Sequence, residues 1–265
     1  MKLPLPKQHG AWAMVIGPAL LGLLTGRPGL GAAAALLLAF LSAFCAQHVA
    51  IRLLTQKRRV EGLARWLWIY LGLTAVLGGG LVLQGDHYSL LIYGFLAALY
   101  FAGHVAMMKR PGRREHRSLG FEILTVAILC LGALAGAEVA GGGLSRSAVW
   151  AYVGSFVFFA GSVFHVRAVV RRTRLKVPRD AAISRRSLAW ETVVWHGAVG
   201  LGLFALAAVR FDGAVWYFVA FALTVVRAFW AVARLSEPKW NIRQIGVIEI
   251  FCTVAWIVGS AMLVR

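Results

Sequence analysis

The chain has 265 residues, 60% of them hydrophobic, with 28 Lys/Arg against 10 Asp/Glu and a formal net charge of +18. Apolar content this high excludes an ordinary soluble domain, because nine apolar stretches of roughly the ~20 residues needed to cross ~30 Å of hydrocarbon consume most of the chain. The charge does not point to nucleic acid: it lies beside the apolar segments, where membrane topology and anionic headgroups account for it, and no aromatic–basic surface module is visible.

The apolar stretches fall near 11–26, 29–50, 65–84, 88–107, 119–138, 147–164, 188–208, 214–234 and 245–264. The first is short and contains Pro18, which predicts a tilted, interfacial or partly re-entrant segment. With the N-terminus placed in the cytoplasm, all Lys and Arg but Arg27, Arg146, Arg210 and Arg265 lie on cytoplasmic pieces, the positive-inside pattern. The expectation is an all-α polytopic protein of about nine transmembrane helices, one domain over 1–265, in a bacterial inner membrane. Cys45, Cys130 and Cys252 are scattered through apolar segments, which argues against a disulfide framework or a zinc site. Lys2 and Lys7 come with early prolines and no small-residue cleavage site, so the start reads as retained rather than as a signal peptide.

A repeat is visible at the helix ends. The second, fourth and sixth stretches close on Gln47-His48-Val49, Gly103-His104-Val105 and Phe164-His165-Val166-Arg167, each followed by a basic loop; the eighth keeps Val226-Arg227 without the His. The fifth, seventh and ninth open on Arg117-Ser118-Leu119-Gly120-Phe121-Glu122, Arg186-Ser187-Leu188-Ala189-Trp190-Glu191 and Arg243-Gln244-Ile245-Gly246-Val247-Ile248-Glu249. The unit is a helical hairpin, and sites in such proteins tend to lie where repeats meet. His48 and Arg52, four apart, share one helix face. Each Glu is expected near the start of its helix, where the helix dipole favours a carboxylate.

Ionisable groups inside a span are costly and usually face a bundle interior or a wet cavity, so the recurring His, Glu and Arg are expected to converge near the cytoplasmic surface. Taken singly, the same residues read as snorkelling or locally paired side chains; a topology signal alone requires Lys or Arg, but not His and Glu at recurring positions. His48, His165 and Glu191 are the candidate acid–base residues. The candidate ligand-binding set is His9, Arg52, Arg58, Tyr100, His104, Lys109, Glu122, Arg167, Arg171, Arg172, Arg227 and Glu249. Arginine and lysine can hold an anionic headgroup without a metal, so no metal ligands are assigned and no cofactor is specified. His196 lies about a turn and a half deeper than Glu191 in the seventh stretch. His87 and His116 read as loop residues, and Glu138 lies at the opposite end of the fifth stretch. The Gly78–Gly80 and Gly141–Gly143 runs lack the strand context of a phosphate loop and read as close helix approach or irregular helix ends.

The run Pro6-Lys7-Gln8-His9-Gly10-Ala11-Trp12-Ala13-Met14 resembles the opening signature of the YwiC-like bacterial membrane proteins, a likeness that extends over essentially the whole chain. More distantly, nine helices with enlarged loops after the second and sixth resemble the UbiA superfamily of intramembrane prenyltransferases. The stretches from Leu99-Tyr100 through Lys109-Arg110 and from Phe164 through Ser187 are placed like segments of that superfamily. That likeness implies an isoprenoid ligand and Mg²⁺ held by two aspartate-rich motifs. Here the first corresponding stretch, 47–59, holds no Asp or Glu, and the second holds Asp180 amid Arg and Lys, so the metal-dependent machinery is missing. The expected function is binding of an anionic isoprenoid or phospholipid-like molecule in a cytoplasm-facing cavity, with membrane lipids around it. A divergent prenyl-group transferase, a small-anion transporter and a haem- or metal-binding membrane protein are the alternatives.

Overall fold

A computed structural model describes residues 4–6, 9–55, 62–108, 118–174, 182–209, 214–233 and 242–264. These residues form nine α-helices: α1 (His9–Leu23), α2 (Leu30–Thr55), α3 (Leu63–Gly85), α4 (Ser89–Met108), α5 (Leu119–Val139), α6 (Arg146–Arg174), α7 (Ala182–Ala208), α8 (Ala214–Ala233) and α9 (Ile242–Val264). Among the described residues, eight helices, α2 to α9, are long and apolar enough to cross a bilayer. The architecture is that of an all-α polytopic membrane protein. In α4 the outward face carries Leu91, Ile92, Phe95 and Leu99, each about 60% exposed or more. In water such a face would drive aggregation; against lipid tails it is at home.

The first stretch, expected over 11–26, is helical only over the 15 residues of α1. At 1.5 Å per residue it is about 22 Å long, short of the ~30 Å hydrocarbon core. Pro18 is buried inside it and cannot donate the i→i−4 hydrogen bond. The second and sixth helices run on past their apolar stretches to Thr55 and Arg174, and α7 starts before its apolar stretch, at Ala182. Helical hydrogen bonding continues into water where hydropathy stops reporting it.

Packing divides the chain into two compact units, one of residues 1–152 with 264–265, the other of residues 153–263. In the first unit α1 packs chiefly on α5, and α2 on α3. The α1–α5 contact is built from small residues. A Cβ on Gly22 would strike the Ala133 carbonyl, and one on Gly136 would strike the Ala19 carbonyl and the Leu23 amide. Backbones that approach this closely are the usual device for joining helices in lipid. Cys45, Ala46, Val49, Leu63 and Tyr70 form the α2–α3 core, with Trp12 of α1 against it. His87 does not stand free in its loop: Nδ1 lies 3.8 Å from Glu138 Oε1. Gly141 and Gly143 take positive φ of 78° and 50° at an irregular end of α5. Gly78, Gly79 and Gly80, by contrast, are ordinary helical positions in α3 with open space where a side chain would be.

The second unit is centred on Trp256 of α9, which is wholly buried, stacked on Phe158 with ring centroids 4.8 Å apart and edge-on to Phe159. Gly259 lets α9 lie against Ala220 of α8. Nearer the basic ends, Val169, Ala189 and Ile245 bring α6, α7 and α9 together.

Candidate functional site

The first unit holds His48, Arg52, Tyr100, His104 and Glu122; the second holds His165, Arg167, Arg171, Glu191, Arg227 and Glu249. Arg58 and Lys109 lie outside the described residues, and for His9 and Arg172 only the helical backbone is described. Of the three glutamates expected at helix starts, only Glu122 is in a first turn. Because α7 begins at Ala182 and α9 at Ile242, Glu191 and Glu249 sit two turns or more inside, beyond the reach of the helix dipole. Arginines hold them instead.

In the first unit, Thr125 gives its hydroxyl proton to the Phe121 carbonyl at 2.8 Å. The contact between Tyr100 and Thr125 hydroxyls therefore has Tyr100 as donor. Phe121 stacks on Tyr100 at 5.4 Å and meets His104 edge-on at 4.6 Å. This joins α4 to α5 through an aromatic trio with one polar end. Tyr100→Phe is expected to lower the thermal midpoint in micelles modestly, by about 0.5–1.5 kcal/mol of stability, the net worth of one hydrogen bond. An unchanged midpoint would show that the hydroxyl contributes nothing.

In the second unit two charged groupings occur. Arg171 of α6 donates to Glu191 of α7 through both terminal nitrogens, Nη1 to Oε2 at 3.1 Å and Nη2 to Oε1 at 3.3 Å. Arg167, one turn earlier on the same face, places Nε 3.9 Å from Glu191 Oε2. Two guanidinium groups thus converge on one carboxylate. The Arg171 side chain is 32% exposed, while Glu191 is largely covered.

The other grouping is interior. Arg227 of α8 sets Nη1 2.5 Å from Glu249 Oε2 of α9, and His165 of α6 sets Nε2 3.7 Å from Glu249 Oε1. The three residues are 3–6% exposed. Ser162 faces the carboxylate, and Cys252 lies beside both members of the pair. His196 of α7 also interacts with His165 and Arg227. Its Nδ1 lies 2.8 Å from the Thr192 carbonyl. A carbonyl only accepts, so Nδ1 carries the proton and Nε2 presents a lone pair in the neutral ring. Thr192 in turn donates its hydroxyl to the Phe164 carbonyl at 3.1 Å, fixing α7 to α6.

His165, expected at a helix end, therefore lies more than two turns inside α6. The sequence reading left His196, Ser162, Thr192 and Thr224 out of the candidate set. Ser162, Thr192 and His196 were signalled by the spacings Ser162–His165 and Thr192–His196, polar residues three and four apart on otherwise apolar helices, and neither spacing includes Thr224. Among the described residues, no three His, Cys, Asp or Glu side chains come close enough to hold a metal ion.

Helices with lipid-facing apolar surfaces and ion pairs turned inward define a polytopic α-helical membrane protein with an internal polar site. The sequence model of the YwiC-like protein family matches residues 5–137, half the chain, and the chain belongs to that family. It is 29% identical over 257 residues to the Bacillus subtilis (strain 168) protein described as uncharacterized protein YwiC, covering 94% of this chain and 93% of the relative. An uncharacterized protein of Haemophilus influenzae is 22% identical over 260 residues, covering 97% of each chain. No solved structure matches. Both arginine–glutamate groupings lie beyond the matched residues 5–137, in the part that the two relatives cover but the family model does not.

Proposed function

We propose that this protein binds an anionic isoprenoid or phospholipid-like molecule, with the headgroup at Arg167 and Arg171 and the tail among the membrane helices. In this reading it is a single transmembrane domain of the bacterial inner membrane, N-terminus in the cytoplasm, and the headgroup site faces the cytoplasm. The observation that carries it is the Arg167–Arg171–Glu191 arrangement: two guanidiniums converge on one carboxylate, and that of Arg171, 32% exposed, reaches solvent. An oxyanion matches the planar donors that the exposed arginine still presents to solvent. Arg52, Arg58, Lys109 and Arg172 are the further basic candidates that the sequence offers for such a headgroup.

Both Glu191 oxygens are occupied by Arg171, so its role in this reading is to position the guanidiniums rather than to take a proton. Prenyl-group transfer is what the distant UbiA resemblance adds, with His48 left as an acid–base candidate. The lack of aspartate-rich motifs makes binding independent of Mg²⁺ the expectation. The test is binding of geranylgeranyl diphosphate to purified protein in micelles, with and without a chelator. Retention that survives chelation and falls at least tenfold in Arg171→Glu and Arg52→Glu is expected. Absence of binding, or binding indifferent to both reversals, would overturn the reading.

A further inference from the structure

The interior pair leaves half of Arg227 unused. Its Nη1 faces Glu249 and the Cys252 thiol lies in hydrogen-bond reach of the guanidinium, while Nε and Nη2 meet no oxygen acceptor among the described residues, in a side chain only 4% exposed. Nε and Nη2 lie along the edge of a guanidinium that presents two parallel donors, the fork that fits two oxygens of one oxyanion. The neutral Cys252 thiol beside it is too weak an acceptor to satisfy that edge. Around the pair, Thr224 Oγ1 and His196 Nε2 are likewise buried without hydrogen-bond partners among the described residues, and Ser162 is turned toward the carboxylate. Thr224 is one turn from Arg227 on α8. Buried polar groups collected on these helices are costly in hydrocarbon where they find no strong partner.

We propose that this cluster is a binding site for a small monocarboxylate, held by the Nε–Nη2 edge of Arg227 and taken up together with one proton. Charge balance supplies the second half. Arg227 and Glu249 are neutral as a pair, so an added anion leaves a net negative charge in hydrocarbon, which a single proton cancels. His165 Nε2 and Glu249 Oε1, 3.7 Å apart, are the receivers, with the proton held on one and shared toward the other. The groups facing that proton are Ser162 and His165 from α6, His196 from α7, Arg227 and Thr224 from α8, and Glu249 and Cys252 from α9. The hydroxyls and the His196 lone pair are suited to a hydroxyl or water carried with the anion. Arg227 lies six residues from the end of α8 and Glu249 seven from the start of α9, so the site is about 10 Å along the helices from their basic ends. This inference does not depend on the headgroup site at Arg171.

The test is binding of radiolabelled lactate to purified protein in nanodiscs, with proton uptake followed by an indicator dye in weak buffer. Saturable binding with about one proton taken up per lactate bound is expected from the charge balance. Arg227→Lys keeps a cation for Glu249 but removes the fork, and should weaken binding at least tenfold. The charge-neutral double variant Arg227→Gln with Glu249→Gln tests the same point if the lysine variant does not fold. No saturable lactate binding, binding without proton uptake, or binding unchanged in a folded variant of either kind would overturn the proposal.

Discussion

Glu249→Gln is expected to destabilise the protein by about 3–5 kcal/mol, the cost of removing one partner from a buried ion pair. The reason lies in the burial: the Arg227 and Glu249 side chains are 4% and 9% exposed. With the carboxylate gone, the guanidinium is left in hydrocarbon facing an amide, His165 and a thiol. An uncompensated arginine at the centre of a spanning helix costs about 2.5–3.5 kcal/mol on insertion scales, the same order as the soluble-protein figure. Replacing both residues together, Arg227→Met with Glu249→Met, removes the charge along with its partner and should recover most of the loss, because apolar substitutes for a buried pair are often neutral or stabilising. Thermal midpoints of the parent and the two purified variants in one detergent decide the matter. A single variant as stable as the parent would mean that the pair is hydrated and not buried as described.

The second large effect is expected at the α1–α5 crossing. Gly136→Val should detach α1 from α5, because the new side chain would meet the Ala19 carbonyl and the Leu23 amide, both backbone atoms with no rotamer to yield. Overpacking of this kind costs about 1–3 kcal/mol, more when the neighbour cannot move. Gly132→Ala, one turn earlier on the same face, meets Ala19 only at ordinary contact distances of 3.4–3.7 Å and should be nearly neutral. Cysteine pairs placed across the two helices, with crosslinking yield as the readout, separate the two cases. Equal crosslinking in both variants would show that the contact is not close.

Most of the fold was legible in the sequence, because the bilayer imposes a length and a polarity that few other environments demand. The starts of α3, α4, α5, α8 and α9 follow from hydropathy within a few residues. The ends of α2 and α6 and the start of α7 do not, since Lys- and Arg-rich segments stay helical outside the hydrocarbon. The small-residue docking of α1 on α5 was also hidden: Gly22 and Gly136 look like any other glycines until the helices are in place. For the site, both arginine–glutamate groupings use residues that the repeat had singled out, yet the repeat could not assign partners. Pairing Arg171 with Glu191 depends on the rotation of two helices about their axes, which single residues do not encode. His104 and His165 show the same limit. They occupy like positions in the repeat, but one sits against Phe121 and the other is enclosed beside Glu249. A lone Thr224 carries no mark that tells an inward face from a lipid-facing one.

The shortness of α1 has a consequence for how the chain is assembled during synthesis. A helix too short to span, interrupted by Pro18, has little to hold it in the membrane by itself. Its fitting surface, the small-residue face of α5, emerges from the ribosome only after α2, α3 and α4 have been made. Helix α1 is therefore made before its partner and waits at the interface until α5 arrives, so it is among the last pieces of its unit to be seated.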